Sequence, residues 1–311
     1  LNFNFNISYN RGKIDKLNGS SFWQSSSWAG TAAAGIEDFL VEEGGRLGEV
    51  YGYKTDGFYT ADDFTFDAEK GTYALKAGVN DCSSLIGGKV YPGSIKLKAN
   101  EDGEYKKERL GNTVPTVSGG FGLNARWKGF DFTAFFNYSL GNKIVNATKL
   151  GSSFYSGSSK NWNINDHFTS ANRYSWIDPS TGTNLLSSAS IKANGEAWTI
   201  NRLNEVNTGS SIWNPAAATV MPLVDWAVED GSFLRVNNIT IGYTLPKLFV
   251  SKLNIQNIRI YVTGYNLHCF TKYSGTDPEV DCCTSTPMTP GIDYAAYPKS
   301  RSFVGGINVT F

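Results

Sequence analysis

Apolar and polar residues alternate in six stretches of this chain. In residues 1–10, Leu1, Phe3, Phe5, Ile7 and Tyr9 interleave with Asn2, Asn4, Asn6, Ser8 and Asn10. In 117–127, Val117, Phe121, Leu123, Ala125 and Trp127 oppose Ser118, Gly120, Gly122, Asn124 and Arg126. In 130–139, Phe130, Phe132, Ala134, Phe136 and Tyr138 oppose Asp131, Thr133, Phe135, Asn137 and Ser139. A fourth stretch, 232–245, is cleanest at Ile239, Ile241, Tyr243 and Leu245, and Asn237–Asn238 predicts a bulge there. In 257–266, Ile258, Ile260, Val262 and Gly264 oppose Arg259, Tyr261, Thr263 and Tyr265. The last, 301–311, sets Phe303, Gly305, Ile307, Val309 and Phe311 against Val304, Gly306, Asn308 and Thr310. A period of two is the signature of a strand with unlike faces. Alternation reaches both ends of the sequence. That predicts a first residue inside a strand already under way, as in a piece of a longer polypeptide, and a last residue that is paired and buried. The stretch "GEVYGYKTDGFY" (48–59) is strand-like but broken by turn residues, which predicts a structured loop.

The connections between these strands fall into two classes. Residues 128–129 and 246–256 make short ones. The other three run to roughly 100, 90 and 30 residues, against a usual median of about 5. Long and short alternate, as in an outer-membrane barrel with short turns on one side, long loops on the other and ~10-residue strands. A soluble β-sandwich would explain the alternation within strands but not the ordering of the loops. The expected fold is therefore all-β: a transmembrane antiparallel β-barrel in an outer membrane, with extracellular loops at about 11–113, 141–230 and 268–300. Six strands are too few to close a barrel, whose smallest members have about eight. The others would come from upstream sequence or from other chains.

Composition narrows the chemistry. The 311 residues carry no net charge, and only 18% are charged, against about 25% in a typical soluble domain. Aromatic residues make up 14%, too many for a disordered chain. The charge balance gives no reason to expect a nucleic acid. No apolar run approaches the ~18 residues of a membrane helix. The four cysteines, Cys82, Cys269, Cys282 and Cys283, lack zinc-ligand spacing. Cys269 could pair with Cys282 or Cys283 in an oxidising compartment, or all could be buried free thiols.

The two histidines, His167 and His268, lie on different connections with no nucleophile beside them, so no catalytic constellation is expected. "GGKVYPGS" lacks the Gly-Lys-Ser/Thr end of a phosphate-binding loop. Asp62, Asp63 and Asp67 could hold calcium or form a solvated acidic loop. Trp162, Trp176, Trp198 and Trp213 stand among amides, hydroxyls and charges in the second long connection. Indole faces in such company suit oligosaccharides, and they also suit anchoring of loops to one another. On the polar faces, Arg126, Arg259 and Asn308 could line a substrate path.

Several phrases resemble a known family. "GEVYGYKTDGFY", "VPTVSGGFGLNARWKGFDFTAFFNYSLGNKI", "FLRVNNITIGYTLP", "TGYNLHCFTKYSGTDPEV" and "YPKSRSFVGGINVTF" look like the carboxy-terminal third of SusC/RagA-type TonB-dependent transporters of Bacteroidetes. His268–Cys269 departs from the family's usual "NLFTFTKY". The resemblance implies a plugged barrel of about 22 strands, with the plug and the TonB-contacting segment outside this sequence. It further implies outer-membrane lipid around the barrel, a SusD-like surface lipoprotein as lid, and active import of a glycan or an oligopeptide. Phe311 would be the signal read by the barrel-assembly machinery. A structural or adhesive barrel, or a passive porin, is the alternative, and an enzyme is not expected.

Overall fold

The computed structural model describes residues 1–25, 37–155, 163–250, 255–281, 287–294 and 296–311. The six alternating stretches form six strands: β1 (Asn2–Tyr9), β2 (Val117–Trp127), β3 (Phe130–Leu140), β4 (Phe233–Thr244), β5 (Asn257–Thr271) and β6 (Ser302–Thr310). They pair antiparallel in sequence order. The register puts the predicted apolar positions on one face: Phe5 meets Phe121, Phe121 meets Phe136, and Ile260 meets Ile307. Asn237 is the extra residue of a bulge in β4, since Phe135 pairs with Asn238 but Phe136 with Val236. This resets the phase, so that Leu234 and Val236 rejoin Ile239, Ile241 and Tyr243 on the apolar face. A matching irregularity in β5 skips Asn266 and Leu267, with Asn266 in the left-handed region at φ 50°.

The sheet is open. Among the described residues, the outer edges of β1 and β6 have no partner, and Leu1 and Phe311 are 94% and 80% exposed. The terminal residue is therefore neither paired nor buried, contrary to the reading of its alternation. No closed barrel forms, because strand pairing ends at six strands. The chain is not all-β either, since its connections carry helices such as Ala147–Gly151 and Ser188–Val206. The fold is a mixed α/β arrangement of open, mostly antiparallel sheets, which corrects the expected transmembrane β-barrel. The expected outer-membrane location as a multi-pass barrel rested on that closure and falls with it. No described helix is long and apolar enough to cross a membrane.

The hydrophobic core lies in the connections. Phe39, Tyr59, Phe64, Leu185, Leu203 and Ile292 belong to one buried cluster, to which the six strands contribute no residue. Short strands serve it, among them Glu49–Gly52 and Thr55–Phe58 within the stretch expected as a structured loop. The helix Ser188–Val206 buries Ile191, Thr199 and Leu203, the last two one turn apart on one face. Ser187 caps its start by accepting from the Ser190 amide at 3.2 Å. Gly195, at φ 77°, breaks the helix midway, and Thr199 Oγ donates to the Gly195 carbonyl at 2.7 Å.

Several glycines of the sheet stand where a Cβ would collide, and Gly242 is the one beside an ion pair. Asp131 on β3 and Arg259 on β5 form a two-pronged ion pair across β4, with Nε to Oδ2 at 2.8 Å. Gly242 lies beneath it, and a Cβ there would stand 2.5 Å from Asp131 Oδ2 and 2.6 Å from Arg259 Nη2.

Two outcomes follow for stability. Leu203→Ala should cost about 2–5 kcal/mol through the cavity it leaves, read as a lower urea midpoint. Gly242→Val should cost about 1–3 kcal/mol by parting the ion pair. In an Arg259→Met background the valine penalty should shrink, which a double-mutant cycle in thermal unfolding would measure.

Candidate polar cleft between two long connections

Strand Lys143–Asn146 begins the second long connection and lies between Val228–Asp230, antiparallel, and Ile292–Asp293, parallel. This small sheet brings three polar side chains together, those of Asn146, Glu229 and Asp293. Asn146 then caps the helix that follows, its Oδ1 accepting from the Lys149 amide at 2.9 Å. The cap starts the turn that carries Lys149 inward. Lys149 Nζ pairs with Glu229 at 3.1 Å, donates to the Trp226 carbonyl at 3.0 Å and lies 4.1 Å from the Trp226 ring centre.

Glu229 also accepts from the Ser274 amide at 2.8 Å and from Ser274 Oγ at 2.7 Å. Ser274 belongs to the third long connection, so one carboxylate joins both. Tyr273 Oη donates to Asp293 Oδ2 at 2.6 Å. Around these groups opens a cleft of about 240 Å³, lined by Asn146, Lys149, His167, Ser274 and Asp293, with Asp166 also on its wall.

The two carboxylates, Asp293 buried and Glu229 half-buried, are tuned in opposite senses. Burial pushes Asp293 up, and the neighbouring negative charges of Asp277 and Glu229 reinforce this against the Tyr273 bond. Burial also acts to raise Glu229, but the Ser274 donors and Lys149 outweigh it and hold that carboxyl below its ordinary value. The lining is rich in amides, hydroxyls and acids. Such a surface binds by hydrogen bonding and charge. Among the described residues, no group of three or more His, Cys, Asp and Glu is placed to hold a metal.

The residues singled out in the sequence are scattered. Trp162, Cys282 and Cys283 lie outside the described residues. Trp213 is 4% exposed, its indole donating to the Ser153 carbonyl at 3.1 Å and its ring beside Phe168 and Trp226. Trp176 donates to the Pro92 carbonyl and packs beside Tyr91. Trp198, on the helix Ser188–Val206, is 43% exposed. Arg126 and Arg259 stand at the other end of the sheet, beside the short connections. Asp62, Asp63 and Asp67 have separate partners: Asn204 for Asp62, the Thr60 amide for Asp63, and Lys70 for Asp67. Cys82 and Cys269 are free thiols, and burial raises both. Sequence reasoning missed Lys149, Glu229, Tyr273 and Asp293. Their one signal was acids set in short apolar runs, "WAVED" and "GIDY".

A pH dependence follows for Glu229. Its lowered carboxyl contributes stability that is present above the unfolded value, near pH ~4.3, and is lost as pH falls through the folded value. Glu229→Gln should therefore be less stable than the parent at neutral pH. The gap should close on acidification, as urea midpoints measured across pH would show. Asp293 works in the opposite sense, its contribution fading as pH rises through its raised value.

No family model matches the chain. Among curated proteins, it is 29% identical over 313 residues to TonB-dependent receptor P3 of Formosa agariphila, covering 99% of this chain and 26% of that receptor. It is 34% identical over 89 residues to TonB-dependent receptor SusC of Bacteroides thetaiotaomicron, covering 28% of this chain and 8% of SusC. Two solved structures share the fold across 99% of the chain. One is the RagAB peptide transporter, with TM-score 0.56, 20% identity and 26% of that chain covered. The other is the RagAB peptide importer in its closed-closed state, with TM-score 0.57, 21% identity and 27% covered. The chain spans about a quarter of the length of the curated receptors that it matches end to end. The curated relatives are all TonB-dependent receptors by name, and the chain is, at the family level, a distant relative of the SusC/RagA-type TonB-dependent receptors.

Proposed function

We propose that the polypeptide bearing this chain works in TonB-dependent uptake of an oligomeric nutrient. The long connections of this chain would supply part of the surface that meets the nutrient. The observation that carries this reading is the cleft where the second and third long connections converge, in a chain whose relatives are TonB-dependent receptors. A glycan is the preferred substrate class, because the cleft offers amides, hydroxyls and carboxylates to sugar hydroxyls and Trp198 keeps exposed ring area for a sugar face. An oligopeptide is the second class, favoured by the likeness to the RagAB peptide transporter. In the same reading, Arg126 and Arg259 line the path beyond the cleft. TonB supplies the driving contact through a region beyond this chain, and a SusD-like lipoprotein covers the long connections.

Growth on single glycans or peptides, in cells carrying the intact polypeptide, tests the proposal. Asp293→Asn combined with Trp198→Ala should slow growth on one substrate class by about tenfold at limiting concentration while leaving the amount of protein unchanged. Deleting TonB should abolish growth on that substrate. Unaltered growth in both strains would overturn the reading. Copurification of a second surface subunit with the intact polypeptide would support the lid, and its consistent absence would remove it.

A further inference from the structure

We propose that the polar concavity beside the two short connections binds an acidic peptide segment, through Arg126, Lys128 and Arg259. The concavity measures about 570 Å³ and is lined by these three cations together with Asp131, Thr133 and Asn257. A second depression of about 410 Å³ shares Arg126, Asp131 and Thr133 with it and reaches Asn2 on the open edge of the sheet. The two adjoin through these shared residues and make one trough.

Its charge is unbalanced. Three cations face one carboxylate, and that carboxylate, Asp131, is already engaged by Arg259. Among the described residues, neither Arg126 nor Lys128 has an ion-pair partner, although both line the concavity. Lys128 is held in place at the turn: its backbone sits at φ 46°, and its ammonium lies 5.0 Å from the Trp127 ring centre. A guanidinium and an ammonium at one rim are the groups that grip carboxylates, the first in a two-pronged mode. Thr133 and Asn124, bonded to each other at 2.9 Å, add a hydrogen-bonding wall. A peptide with two or more carboxylates satisfies the excess charge. A nucleic acid would need cations tracking a longer backbone. This inference does not depend on the transport reading, because it concerns binding by the chain itself.

The test is fluorescence anisotropy of a labelled octapeptide of Asp and Glu, titrated with the intact polypeptide that bears this chain, beside a Lys-rich peptide of equal length. The acidic peptide should bind and the basic one should not, and binding should weaken in about 0.5 M salt. Arg126→Gln with Lys128→Gln should weaken binding by about tenfold or more, while Lys16→Gln with Lys192→Gln, elsewhere on the surface, should leave it unchanged. Asp131→Asn should act in the other direction, since it frees Arg259 and removes the one opposing charge, so binding should tighten. Equal binding of both peptides, or no effect of the double Arg126 and Lys128 variant, would overturn the proposal. Displacement by inorganic phosphate at the peptide's own concentration would overturn it too, by reducing the trough to a simple anion site.

Discussion

Arg235 holds the sheet to its connections. Its guanidinium, on the polar face of β4, is buried between Asp277 and Glu279, both from the connection that follows β5. Lys299, at the far end of the same connection, closes on Glu279 at 2.8 Å, and Asn137 of β3 reaches Glu279 as well. A charge removed from water must keep its partners, because losing one leaves the other buried and unpaired. The segment from Asp277 to Lys299 is therefore fixed at both ends against the sheet. This seam matters because the core of the connections includes no residue of the six strands. Polar pairs, rather than shared apolar burial, join the two parts.

The same seam positions the cleft. Tyr273 and Ser274 stand between the end of β5 and the Asp277 anchor, so fixing Asp277 delivers them to Asp293 and Glu229. The cleft and the trough at the short connections then carry opposite excesses. Asp166, Asp293 and Glu229 outnumber Lys149 at one, and Arg126, Lys128 and Arg259 outnumber Asp131 at the other. A chain with no net charge can thus present two surfaces of unlike sign.

The six strands and the bulge at Asn237 were legible because a half-polar sheet writes a period of two into its residues. That pattern states which side of a strand is apolar, but not what lies against it. Closure was inferred from long connections, and those connections instead fold around Phe39, Tyr59 and Leu203 into a core of their own. Strands such as Glu49–Gly52 and Lys143–Asn146 are too short to show a period, so the core they serve left no local trace. The cleft was hidden for the same reason, since Asn146, Glu229 and Asp293 meet only through pairings between distant segments. Trp213 stood out by residue type, yet its surroundings are apolar rings.

Gly242 acts on the sheet as an alignment mark. The pair from Asp131 to Arg259 crosses two inter-strand gaps, roughly 10 Å in all, and only the residue without a side chain fits beneath it. Were β4 to slide by one position, Ile241 or Tyr243 would turn toward the polar face and come to lie under the crossing ion pair. The bridge therefore forms in one alignment of three strands and in no neighbouring one. A hairpin turn fixes how two adjacent strands meet. This crossing checks the third, so an error made at the short connection between β4 and β5, or where β3 meets β4, would be met by a charge left without its mate.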